Sequence, residues 1–186
     1  MSTTSQPFGL RPAFSPSGVV RPTAYSILTG YAANILQNQP VKIGTNGTIQ
    51  AAAIGDRFIG TFQGVEFTDS DGRRRVSNKW TASLAATDIV AYVTIDQSIT
   101  YQIQSNAALV VADIGKQYDF TAPAGNTTTG LSSQALDVAS VVTSGGTAQL
   151  RLIGIVPGPD NNFGDTYVNA LVQIVEHQNT AVKNAY

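Results

Sequence analysis

Ile89-Val90-Ala91-Tyr92-Val93-Thr94-Ile95-Asp96-Gln97-Ser98-Ile99-Thr100-Tyr101-Gln102-Ile103-Gln104 carries the pattern on which the reading of this chain turns. Ile89, Ala91, Val93 and Ile95 share one parity. Ile99, Tyr101 and Ile103 form a second alternation, with Thr100, Gln102 and Gln104 on the opposite face. Successive side chains of a strand point to opposite faces, so this is the signature of two half-buried strands. Asp96-Gln97-Ser98 between them predicts a hairpin connection.

Outward from this stretch the punctuation stays β-like. In Thr61–Thr68 the apolar parity changes from Phe62 to Val65 and Phe67, with Gly64 at the change. Ala148, Leu150 and Leu152 share one parity, and Ile153 and Ile155 the other, around Gly154. A bulge inserts one residue and reverses the facing of the residues after it, so both glycines predict bulges. Asp69-Ser70-Asp71-Gly72, between Phe67 and Val76, predicts an exposed hairpin tip. Residues 121–133 read as a long loop and Ser144-Gly145-Gly146 as a turn. Tyr167–His177 admits two readings. Tyr167, Leu171, Ile174 and Val175 suit a helix face, whereas Val168, Ala170, Val172 and Ile174 suit a strand, which the β-branched content favours. No segment forms a long, well-capped amphipathic helix. The expected fold is mainly β, a β-sandwich or β-barrel body with an extended N-terminal arm.

The arm is assigned to residues 1–23 and the β-rich body to residues 24–186. Pro7, Pro12, Pro16 and Pro22 oppose helix and discourage a central strand. Phe8, Leu10, Phe14, Val19 and Val20 are too apolar for an idle tail, so they dock either on another molecule or on the chain's own body.

With 186 residues the chain can bury a core without disulfides or metals, and it contains no cysteine. Charged residues make up 12%, about half the usual ~25%. A surface rich in amides and hydroxyls suits lasting contact with other protein. The net charge of −1 favours neither nucleic acid nor anionic membrane. No apolar run reaches the ~18 residues of a membrane span. No signal peptide is visible in Met1–Leu10, so synthesis in a cytoplasm is expected.

Motifs of chemistry are sparse. His177 is the single histidine, and no Gly-x-Ser-x-Gly elbow accompanies it. In a strand the adjacent Glu176 and His177 point to opposite faces, so a hydrogen-bonded structural role is expected for His177. Asp69-x-Asp71-Gly72 opens like a calcium loop, but Arg73, Arg74 and Arg75 follow where further oxygen ligands are needed. These arginines are expected to pair with carboxylates of this chain or of a neighbour. No catalytic residue, cofactor or metal ligand is assigned.

Several stretches resemble a family of short virion proteins of tailed phages. They are Pro7-Phe8-Gly9-Leu10-Arg11-Pro12, Thr29-Gly30-Tyr31-Ala32-Ala33-Asn34-Ile35, Gln39-Pro40-Val41-Lys42-Ile43 and Ile59–Asp69 followed by Trp80. Asn169–His177 resembles the end of the same family. Its members look like capsid decoration, or cement, proteins and related virion components. The resemblance implies assembly on a preformed icosahedral shell near local threefold positions. The implied partners are the major capsid protein and further copies of the chain, as a homotrimer, with no membrane and no direct nucleic acid. It also favours the strand for Tyr167–His177. Candidate interaction residues are Phe8, Leu10, Arg11 and Phe14 in the arm and Arg73, Arg74 and Arg75 at the hairpin. The alternatives are a tail, connector or minor head protein and, in another class, a β-sandwich carbohydrate-binding module or enzyme.

Overall fold

A strand of alternating parity buries one face only when neighbours complete a sheet beneath it. In the computed structural model, which describes residues 3–180, that completion is antiparallel throughout the paired strands. Met1, Ser2 and residues 181–186, which the expected division of the chain includes, lie outside the described residues. In chain order the strands are β1 (Arg11–Phe14), β2 (Pro22–Tyr25), β3 (Ile35–Leu36), β4 (Pro40–Ile43), β5 (Ile49–Ala51), β6 (Gly60–Thr68) and β7 (Arg74–Ser77). There follow β8 (Lys79–Trp80), β9 (Thr87–Thr94), β10 (Thr100–Gln104), β11 (Gln117–Tyr118), β12 (Leu150–Ile155) and β13 (Asn169–Ile174). Strands take 38% of the described residues and helix 3%. The fold is therefore mainly β, with several antiparallel sheets, consistent with a β-sandwich.

One sheet runs β1-β10-β13-β12-β11. A second runs β2-β9-β6-β4-β5, with β7 pairing β6, and β3 and β8 form a two-stranded ribbon. Proline cannot donate to a ladder, which confines it to edges and strand starts. Pro12 lies in the edge strand β1, Pro22 starts the edge strand β2, and Pro40 starts β4.

The stretch Ile89–Gln104 forms two strands, β9 and β10, but they belong to different sheets. The expected hairpin at Asp96–Ser98 is corrected to a crossover. Asp96 does turn the chain: its Oδ1 accepts from the Ser98 N–H at 2.9 Å and from the Ser98 hydroxyl at 2.6 Å. Turn chemistry sets the local reversal but not the ladder partner. β9 pairs with β2 and β6, whereas β10 pairs with β1 and β13. The N-terminal segment makes the reverse passage alongside, β1 on β10 and β2 on β9. The expected division at residue 23 falls within β2.

Both glycine-marked bulges are present. The β6–β9 register shifts between Phe62 and Gly64, and the β12–β13 register between Leu152 and Gly154. The second leaves Ile153 facing outward, 41% exposed. At the β6–β7 hairpin tip the Gly72 N–H donates to the Asp69 carbonyl at 2.9 Å, with Gly72 at φ +78°, a left-handed conformation that glycine adopts without steric cost. Tyr167–His177 resolves as a strand over Asn169–Ile174. As a central strand between β10 and β12, it buries Ala170 and Val172.

Buried side chains form two clusters, one on each large sheet. Leu10, Phe58, Tyr101, Phe120, Leu150 and Val172 belong to the first, and Ile35, Val41, Phe62, Val65, Trp80 and Val93 to the second. Phe58 meets Phe120 edge to face at 5.8 Å, and Phe67 meets Trp80 likewise at 6.0 Å, the arrangement favoured by ring quadrupoles.

Candidate interaction surface

The N-terminal motif is fastened to the body through its backbone. The Gly9 N–H donates to the Gln134 carbonyl at 3.1 Å, and the Leu10 N–H to the Asn38 carbonyl at 2.8 Å. A Cβ on Gly9 would lie 2.6 Å from both the Asn38 carbonyl oxygen and Ser132 Oγ, so only glycine allows this approach. Leu10 is thereby driven into the first core, with no exposed surface. Of the two dockings open to this apolar residue, the Leu10 side chain takes the one on its own body. Phe8 is half-buried under the Arg11 guanidinium, which stands 5.0 Å from the ring centroid in cation–π contact. Arg11 Nη2 also donates to Gln102 Oε1 at 2.5 Å. Phe14, by contrast, is 60% exposed on the edge strand β1.

The three hairpin arginines pair within the chain. Arg75 reaches Asp69 at 2.6 Å and Asp71 at 2.9 Å. Arg74 reaches Glu66 at 3.1 Å and donates to the Asp88 carbonyl at 2.7 Å. Arg73 stands 3.8 Å from Asp71 and is otherwise solvated. The Tyr92 hydroxyl donates to Glu66 at 2.8 Å, and this bond, then Arg74, holds the Glu66 carboxyl below its ordinary range. Asp69 and Asp71 thus face a guanidinium.

Between these charges stands Val76, 80% exposed, opposite Glu66 in the ladder. Beside it a shallow groove of about 370 Å³ is lined by Pro22, Gln63, Gly64, Val76 and Tyr92. Val110, Val111 and Ile114 form a second exposed apolar stretch. Sequence reasoning singled out none of these as surface residues. The one available signal was the parity of Val76, opposite to that of its buried neighbours across the ladder.

His177 is buried, and its ring is fixed at both nitrogens. The Asn179 N–H donates to Nδ1 at 3.1 Å, so Nδ1 presents its lone pair. Nε2 must then carry the hydrogen, and it donates to the Ile95 carbonyl at 3.2 Å. Burial pushes its pKa below the ordinary imidazole value. Among the described residues no group of three or more His, Asp or Glu side chains converges as metal ligands.

No family model matches this chain, and no curated protein or solved structure matches it.

Proposed function

We propose that this chain is a structural protein of a tailed-phage virion that coats the capsid exterior and bridges capsid subunits, binding the major capsid protein and associating as a homotrimer. The observation that carries the reading is the framework role of the residues behind the family resemblance. Gly9 and Gly60 admit no Cβ, and Phe62, Val65, Trp80, Ala170 and Val172 fill the cores. Motifs that build a frame fit a family defined by its scaffold rather than by a reaction. Support also comes from the exposed apolar residues Phe14 and Val76, set in a chain of low charge. Scattered contacts of this kind are individually weak, and repetition over a symmetric shell multiplies them.

The test is incubation of the purified protein with purified capsids, followed by imaging and copy counting. Even occupancy of equivalent capsid positions is expected. A few copies confined to one vertex would favour the tail, connector or minor head reading. Failure to bind capsids together with glycan binding would favour the carbohydrate-binding module.

A further inference from the structure

Beyond β13 the chain crosses from one sheet to the other. The Val175 N–H donates to the Gln149 carbonyl at 2.9 Å, the Phe58 N–H to the Glu176 carbonyl at 3.1 Å and the Gln178 N–H to the Phe58 carbonyl at 3.1 Å. The Gln178 side chain satisfies both backbone groups of Ile43 in β4, accepting at 2.7 Å through Oε1 and donating at 3.1 Å through Nε2. Arg57 Nη2 donates to the His177 carbonyl at 3.0 Å and also to the Thr180 carbonyl. His177 lies at the centre, 2% exposed, tying this segment to Ile95 at the start of the crossover.

We propose that residues 175–180 are an acid-released clasp between the two sheets, locked by neutral His177 and opened when the ring takes a second proton. The second proton must enter at Nδ1, whose lone pair already accepts the Asn179 N–H. Protonation therefore sets two donors against each other in a buried site and breaks that bond. The charged groups around the clasp do not rescue the imidazolium. Arg57 is a like charge. The Asp96 carboxylate is engaged by Ser98, and Asp56 by Lys42 at 2.6 Å. Neither Glu176 nor Asp119 acts on the ring: what moves the His177 pKa is its burial, which lowers it, the Ile59 and Ile95 backbone bonds, which oppose this more weakly, and Arg57, which lowers it further. With the folded pKa below the ordinary 6.5, the clasp is complete above that pH and its stabilisation is lost as pH falls below it. Opening frees the backbone groups of Phe58 and of Ile43 at the end of β4, leaving donors and acceptors unpaired at a strand end.

The experiment is hydrogen exchange of the full chain, corrected for intrinsic rates, from neutral pH to about pH 5. Exchange at the Ile43, Phe58 and Gln178 amides is expected to rise by about tenfold while the amides of β6 stay protected. In His177→Gln the same amides should lose their pH response. Flat exchange in the wild-type chain overturns the proposal, and so does a response that persists in His177→Gln or vanishes in Asp119→Asn. Should His177→Gln not fold, the imidazole proton resonances of the wild-type chain decide the matter. Ring titration in step with amide opening supports the clasp, and titration separate from opening overturns it.

Discussion

The Tyr101 hydroxyl donates to the Thr94 carbonyl at 3.2 Å, joining β10 of one sheet to the end of β9 in the other. The phenol is fully buried, and burial raises its pKa. Tyr101→Phe keeps the ring and removes only this bond. The expected loss is about 1 kcal/mol, the usual net worth of a buried hydrogen bond. It would be read from the denaturation midpoint, and an unchanged midpoint would show that the bond does not hold the seam.

Gly60 lies against the same carbonyl. A Cβ there would sit 1.7 Å from the Thr94 oxygen, an overlap that only backbone movement can relieve. Gly60→Ala is expected to cost about 3 kcal/mol or more. At Gly72 a Cβ would meet nothing within 4 Å, and only the left-handed φ opposes it. Gly72→Ala is expected to cost about 1 kcal/mol. Equal losses in urea denaturation would contradict the steric account.

Leu10 and Phe14 lie four residues apart in the sequence and divide by burial. Leu10→Ala should cost about 2–5 kcal/mol through the cavity it leaves. Phe14→Ser should change stability by less than about 0.5 kcal/mol yet lower capsid occupancy. A stable Leu10→Ala protein, or full occupancy with Phe14→Ser, would refute this division.

Arg75 bridges Asp69 and Asp71 in the open, with half its side chain exposed. Arg75→Ala should therefore cost only ~0–1 kcal/mol, less in high salt. Arg73→Glu combined with Arg75→Glu should weaken trimer or capsid association while the fold survives. Sedimentation and capsid occupancy both unchanged would return the hairpin to the status of a solvated loop.

Asp119 accepts the Gln149 N–H at 3.2 Å, a bond that an asparagine oxygen can also accept. Burial raises its carboxyl pKa above the ordinary 3.8, so ionisation opposes folding and stability falls as pH rises through the raised value. Asp119→Asn is expected to stabilise the chain at neutral pH, with the gain vanishing towards the ordinary carboxyl range. A gain of equal size at every pH would locate its cause elsewhere.

The strands β6, β9, β10 and β12 and their facing were legible in the order of the residues alone, whereas short strands such as β3, β8 and β11 were not. Ala91, Val93, Tyr101 and Ile103 are buried as their parity requires, and Gly64 and Gly154 mark real bulges. These are local properties, fixed by the period of the strand and the conformational range of glycine. Asp69–Gly72 was legible as a hairpin tip for the same reason. Which strands pair was settled only in three dimensions. Asp96–Ser98 has the chemistry of a turn in either topology, and the neighbours that complete each ladder lie far away in the chain. The same holds for the surface. Leu10 and Phe14 are both apolar residues of a proline-rich segment, yet the backbone bonds of Gly9 and Leu10 sink one into the core and leave the other in solvent. His177 was readable as a structural histidine from its solitude. Its protonation state depends on an amide two residues on and a carbonyl from the crossover, and only the packed clasp brings these to the ring.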